Sequence, residues 1–222
     1  MKIAVDGPAG SGKSTVSKII AKNFKLLYLD TGAMYRAVTY ALLKNNIDLN
    51  NEKLICDFIK KIDFKINKNE NSDELDIFVN NEKVNRYLRL REVDNNVSLV
   101  SSYKCIRDWL VEIQRRIAKE NDVILDGRDI GTVVLPDADF KFYLDASIEE
   151  RARRRFYDEK NEKQIPIEEI KKDLIKRDKL DSNRKLAPLK KAEDAIYIDT
   201  TNKSIDEVIR IISEIINKKL NK

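Results

Sequence analysis

Gly7, Gly12, Lys13 and Ser14 stand at the spacing G-x-x-x-x-G-K-[ST], and each residue type meets a need of phosphate binding. Glycines let the backbone curl so that successive N–H groups converge on phosphate oxygens. The start of a following helix adds a potential favourable to anions. Lys13 suits the β- and γ-phosphates of a nucleoside triphosphate, and the Ser14 hydroxyl suits Mg²⁺. The candidate loop therefore comprises Gly7, Pro8, Ala9, Gly10, Ser11, Gly12, Lys13, Ser14 and Thr15. Such a pattern has meaning only between a strand and a helix. Here the apolar run Ile3-Ala4-Val5 precedes it, and the helical pattern Val16, Ile19, Ile20 follows. A glycine-rich turn without a ligand is the competing reading, and four fixed positions in the required context oppose it.

Further along, Val123-Ile124-Leu125 ends on Asp126, as a strand does when its terminal carboxylate faces Mg²⁺ across from the loop serine, often through water. Asp6 is a rival for that role, and a turn-capping aspartate is a third possibility. Arg128 and Asp129 are adjacent at the same strand end, where burial without partners would be costly, so ligand contact is expected of them. Phosphoryl transfer also needs cations against charge spread over the transferring group, and arginine forks onto phosphate better than lysine does. Arg151, Arg153, Arg154 and Arg155, with Arg177 and Arg184 downstream, are candidates for a lid over the phosphates. Two or three of them are expected to touch nucleotide, the others forming a solvated helix face.

The elements that must position these groups alternate. Short apolar runs at Ile3–Val5, Leu26–Leu29, Val123–Leu125, Phe140–Leu144 and Ile196–Ile198 read as buried strands separated by helical patterns. The alternation predicts a parallel sheet of five strands with helices on both faces. Each strand ends in polar residues (DGPAG, LDTGAMYR, DGRD, LDAS, IDTT), which gathers the chemistry at one edge of the sheet. A helix is predicted over Glu52–Ile62. Phe64–Ile66, Leu75–Val79 and Glu82–Val84, around a polar Asn67–Asp73 turn, predict a small antiparallel insertion near residues 63–85. Ile106, Trp109, Leu110, Ile113 and Ile117 mark an amphipathic helix in which Trp109 is a core residue. Ser147 with Glu150 and Ser204 with Glu207 predict capping boxes, and Lys160–Gln164 a polar break.

A chain of 222 residues, 42% hydrophobic and 36% charged, suits one α/β domain bearing an insertion. The net charge of +5, with both signs interleaved, fits phosphate ligands as readily as nucleic acid, and no aromatic–basic nucleic-acid motif occurs. Histidine is absent, and Cys56 and Cys105 stand alone, which excludes a zinc site and implies no disulfide framework. With no signal-peptide pattern and no run of about 18 apolar residues, a cytoplasmic location is expected. A guanine-reading N-K-x-D has its nearest counterpart in Asn67-Lys68-Asn69-Glu70, which lacks the aspartate.

The combination GPAGSGKST (7–15), LDTGAMYR (29–36), DGRDIGTVVLPDA (126–138), FYLDAS (142–147) and RDKLDSNRKLAPL (177–189) resembles bacterial cytidylate kinase along the whole chain. The resemblance implies a P-loop nucleoside-monophosphate-kinase fold in residues 1–222, with the β insertion at 63–85 on the monophosphate side and a short helical lid at 150–186. It implies ATP, Mg²⁺ and the acceptors CMP and dCMP, acting in a monomer; from the motifs and composition above, no nucleic-acid or membrane partner is expected. Carried over by residue, Thr31 and Tyr35 line the monophosphate site, while Arg36 and Arg128 hold the CMP phosphate. Ser98, Arg107 and Asp129 read the cytosine edge. Arg177 and Asp181 contact the ribose, and Arg184 the phosphates. Leu180 and Ser182 replace residues that the family often has charged. An adenylate or uridylate kinase of the same fold is the alternative within enzymes, and a nucleotide-dependent switch the alternative outside them.

Overall fold

In the computed structural model, residues 1–69, 75–158 and 165–221 are described. The opening apolar run forms β1 (Lys2–Asp6), with four of its five residues buried. The glycine loop leads into α1 (Lys13–Phe24), then β2 (Leu27–Asp30) and α2 (Thr31–Lys44). Asp30 ends the strand and caps the helix at once, its carboxylate accepting from Ala33 N at 2.8 Å. Next come α3 (Glu52–Ile59), β3 (Phe64–Lys68), β4 (Leu75–Val79), β5 (Glu82–Lys83), α4 (Arg91–Val100) and α5 (Lys104–Glu120). The chain then returns through β6 (Val123–Gly127), β7 (Phe140–Asp145), α6 (Ile148–Asp158), α7 (Ile167–Ser182), β8 (Ile196–Asp199) and α8 (Ile205–Leu220).

The five-stranded sheet runs in the order β2-β6-β1-β7-β8. β1 lies parallel to β6, with Val5 opposite Asp126, and parallel to β7, with Asp6 opposite Tyr143. β7 in turn pairs with β8. The central strands carry their apolar residues in buried positions between polar ends; Ile3, Ala4, Leu125, Phe142 and Leu144 have at most 1% of their surface exposed. Ser204 and Glu207 form the predicted capping box of α8. At α6 only half of the expected box exists. Ser147 Oγ accepts from Glu150 N at 3.2 Å, but the Ser147 amide donates to Thr201 Oγ1 at 2.9 Å, and the Glu150 carboxylate takes the charged donors Arg153 and Arg154.

The chain gathers into two compact units, Met1–Leu27 with Asp122–Lys222, and Tyr28–Asn121. Within the second, β3, β4 and β5 form an antiparallel sheet in which Phe64 faces Val79 and Lys68 faces Leu75. Ile77, Val79, Val84 and Leu88 bury this insertion against Ala37 and Ala41 of α2. Residues 70–73 of the expected turn, and the whole polar break at 160–164, lie outside the described residues. Helix α3 stops at Ile59, three residues short of the expected end at Ile62. Trp109 is half-buried, meeting the Phe64 ring edge-on at 5.4 Å between centroids. Cys56 of α3 and Cys105 of α5 do not stand alone: they form a disulfide with Cα atoms 5.8 Å apart, a span within bonding geometry. Two cysteines 49 positions apart carry no local sign of pairing, because only the packing of α3 on α5 brings them together.

Candidate active site

The phosphate loop occupies the C-terminal edge of β1. Gly7 can be nothing else, since a Cβ there would lie 1.9 Å from the Leu144 carbonyl oxygen of β7. Gly12 caps α1 at φ 89°, in the left-handed region that favours glycine. The loop is closed from inside. Lys13 Nζ donates to Pro8 O at 2.6 Å, and Ser11 Oγ donates to the same oxygen at 3.1 Å. Burial lowers the Lys13 ammonium to about 7, the charge of Arg128 adds to this, and Asp126 and Asp6 act against it.

Ser14 Oγ, one residue on, donates to Asp126 Oδ2 at 2.8 Å. The hydroxyl at the start of α1 and the buried carboxylate of β6 form an all-oxygen donor pair, which suits Mg²⁺, an ion that keeps several waters and takes one or two carboxylates besides phosphates. Among the described residues no cluster of three or more His, Cys, Asp or Glu could hold a metal. The rival carboxylate, Asp6, is committed elsewhere: it accepts from Ile130 N at 2.8 Å and from Gly131 N at 2.7 Å. Burial outweighs those two donors and pushes it up to about 7.

Beyond β6, Arg128 Nε donates to Asp181 Oδ2 of α7 at 2.9 Å, with both side chains largely buried. Burial alone would raise the Asp181 carboxyl, but Arg128, Arg177 and Arg184 together hold it below the ordinary carboxylate range. A depressed value in the folded state means stabilisation that is present above about pH 4 and lost as the pH falls below it. The stability difference between the wild type and Asp181→Asn, read from urea titrations, is therefore expected to be largest near neutrality and to shrink progressively as the pH falls below the ordinary carboxylate range. A difference independent of pH would contradict the ionic role. Arg184 Nη2 donates to Ala187 O at 2.8 Å, and Asp129 is 5% exposed.

The lid arginines separate into distinct roles. Arg151 is buried and braces the phosphate loop, donating to Ala9 O at 3.1 Å and Ala146 O at 3.0 Å while pairing with Asp178 of α7. Ala9 itself packs with Ala152, Ile170 and Leu174. Arg153 is exposed and forks onto Glu150. Arg154 donates to Thr200 Oγ1 and O at 2.9 and 2.6 Å, and its Nη1 lies 3.6 Å from where a Gly12 Cβ would be. Arg155 is half-buried on the same helix.

In the second unit, α2, α4 and α5 bring the remaining candidates together. Thr31, the first residue of α2, is 3% exposed. The Arg107 guanidinium lies 5.5 Å from the centre of the Tyr35 ring and donates to Ser101 O at 3.2 Å. Ser101 Oγ returns to Ser98 O at 3.0 Å. Arg36 Nε donates to Asp94 Oδ1 at 3.0 Å, with 9% and 14% of the two side chains exposed. Asp94, Ser101, Asp178 and Thr200 were not singled out by sequence reasoning. The only trace of the first is its place four residues before Ser98, hence on the same face of α4.

A parallel sheet whose first strand runs into a glycine loop, with the loop's serine set against the carboxylate at the end of the neighbouring strand, defines a P-loop nucleotide-binding protein. A solved structure of an uncharacterized protein from Eubacterium ventriosum ATCC 27560 shares this fold with a TM-score of 0.54, at 14% identity over 98% of each chain. The family model for cytidylate kinase matches residues 3–218, and the chain belongs to that family. It is 51% identical over 218 residues to a cytidylate kinase of Clostridioides difficile (strain 630), covering 97% of both chains. It is also 51% identical to a cytidylate kinase of Lactobacillus gasseri, over 99% of this chain and 95% of that one.

Proposed function

We propose that this protein transfers the γ-phosphoryl group of ATP to CMP or dCMP, giving ADP and CDP or dCDP, with Mg²⁺, as a monomer in the cytoplasm without nucleic-acid or membrane partners. The observation that carries this reading is the family match over residues 3–218. The Ser14–Asp126 pair at 2.8 Å supports it locally. Residues 7–15 hold the ATP phosphates. Lys13 gives up its contact with Pro8 O for phosphate oxygens, which are stronger acceptors for an ammonium. Ser14 and Asp126 would hold Mg²⁺, which would supply charge neutralisation at the phosphates.

Arg36 and Arg128 hold the CMP phosphate, Thr31 and Tyr35 flank it, and Arg184 draws on both phosphate groups. Ser98, Arg107 and Asp129 read cytosine, whose amino group donates to a carboxylate and whose O2 and N3 accept from arginine or serine. Arg177 and Asp181 take the ribose, and a 2′-hydroxyl contact at Asp181 favours CMP over dCMP modestly. A CMP phosphate oxygen attacks the γ-phosphorus as its bond to the β,γ-bridging oxygen breaks, and ADP leaves. The attacking oxygen is already an anion, so no general base is required, and positioning with cationic stabilisation carries the rate.

The test is the initial rate of ADP release with CMP, dCMP, UMP and AMP at equal concentration. CMP and dCMP are expected to be turned over well ahead of the other two. A faster rate with AMP or UMP would overturn the assignment of the base-reading residues.

A further inference from the structure

We propose that Asp6 is a positioning residue for the acceptor side of the reaction, its carboxylate fixing the turn that presents Arg128 and Asp129; this rests on the reading of those two residues as CMP ligands. After β6 the chain enters a wide turn over Ile130–Val134, in which Val134 N donates to Asp129 O at 3.2 Å and Leu135 N to Ile130 O at 2.7 Å. Such five-residue spacing is rare, and where it occurs it is frequently at a functional site. It leaves the first amides of the turn, Ile130 N and Gly131 N, without partners inside it.

Asp6 supplies both partners from a different strand, one oxygen to each amide, at 2.8 and 2.7 Å. Its side chain is buried, and it lies against Gly131, where an added Cβ would meet Asp6 Oδ2 at an ordinary contact distance of 3.4 Å. The same residue is the last of β1 and precedes Gly7, so one carboxylate ties the root of the phosphate loop to the root of the acceptor loop. Two convergent N–H donors demand two acceptor atoms. Asparagine, equal in shape, offers one acceptor and sets an NH₂ against the other N–H. The turn would then shift, and small misplacements of reacting groups are expensive.

Asp6→Asn is the test, with Arg128→Ala measured in parallel. For Asp6→Asn the KM for CMP is expected to rise on the order of 10- to 100-fold, while the KM for ATP stays within about twofold. Loss of folded protein alone would lower kcat and leave the KM for CMP in place, and that result overturns the proposal. Should Asp6→Asn not fold, amide hydrogen exchange on the wild type decides. Ile130 and Gly131 N–H are expected to be protected in the free enzyme, and rapid exchange there overturns the proposal. If Arg128→Ala raises the KM for CMP and a folded Asp6→Asn does not, the Asp6 proposal fails and the assigned function stands. If Arg128→Ala leaves the KM unchanged, the assignment of the acceptor residues fails, and the positioning role with it.

Discussion

Lys13→Ala is expected to lower kcat for ADP release by about two to three orders of magnitude while the protein stays folded. The side chain is 5% exposed, and its ammonium is held on Pro8 O at 2.6 Å inside the loop. Burial and the neighbouring Arg128 lower it to about 7, so the folded protein bears a cost for a charge it keeps in place. Removing that charge should leave the unfolding temperature unchanged or raise it, a trade of stability for activity common at active sites. Turnover should collapse, because no other side chain in the loop brings a positive charge to the transferring group. Thermal unfolding and steady-state kinetics on the same preparation check both halves. Turnover close to that of the wild type in a folded variant would refute the role of the loop.

Arg128→Ala should act on stability and catalysis together. Asp181, 4% exposed, would lose its 2.9 Å partner. Breaking a buried pair costs about 3–5 kcal/mol when nothing replaces the lost charge, and Arg177 and Arg184 should moderate that cost here. The kcat/KM for CMP is expected to fall by about three orders of magnitude, with the KM for ATP within a few-fold. The double variant Arg128→Ala/Asp181→Asn separates the two effects. Neutralising the stranded carboxylate should recover much of the stability and none of the activity, a non-additivity expected of groups in contact. Simple additivity in both readouts would show that the pair does not act as one unit.

Signals in the sequence are legible where the physics is local. The five apolar strands of the sheet, the insertion and the box at Ser204 follow from residue types at fixed spacing. The glycine loop was legible for the same reason, since Gly7 and Gly12 are dictated by a close approach and a positive φ that the motif itself encodes. The box at Ser147 is incomplete because both of its remaining partners are taken: the Ser147 amide by Thr201 Oγ1, 54 positions away, and Glu150 by Arg153 and Arg154, three and four residues along the same helix. The arginines of α6 could not be ranked from their order in the chain. Helical geometry turns Arg151 toward Ala9 and Asp178 and leaves Arg153 in solvent.

By itself, the sequence determined the class of fold and the motif suited to a nucleoside triphosphate, because a P-loop is a contiguous device whose chemistry and backbone demands lie within nine residues. Only the tertiary structure decided which partner each charged group takes. Ser14 meets Asp126 across 112 positions, Asp6 caps a turn 124 positions away, and Cys56 joins Cys105. These pairings depend on strand order and helix packing, and two carboxylates as alike in sequence context as Asp6 and Asp126 acquire different work only when neighbouring strands aim their ends at different donors.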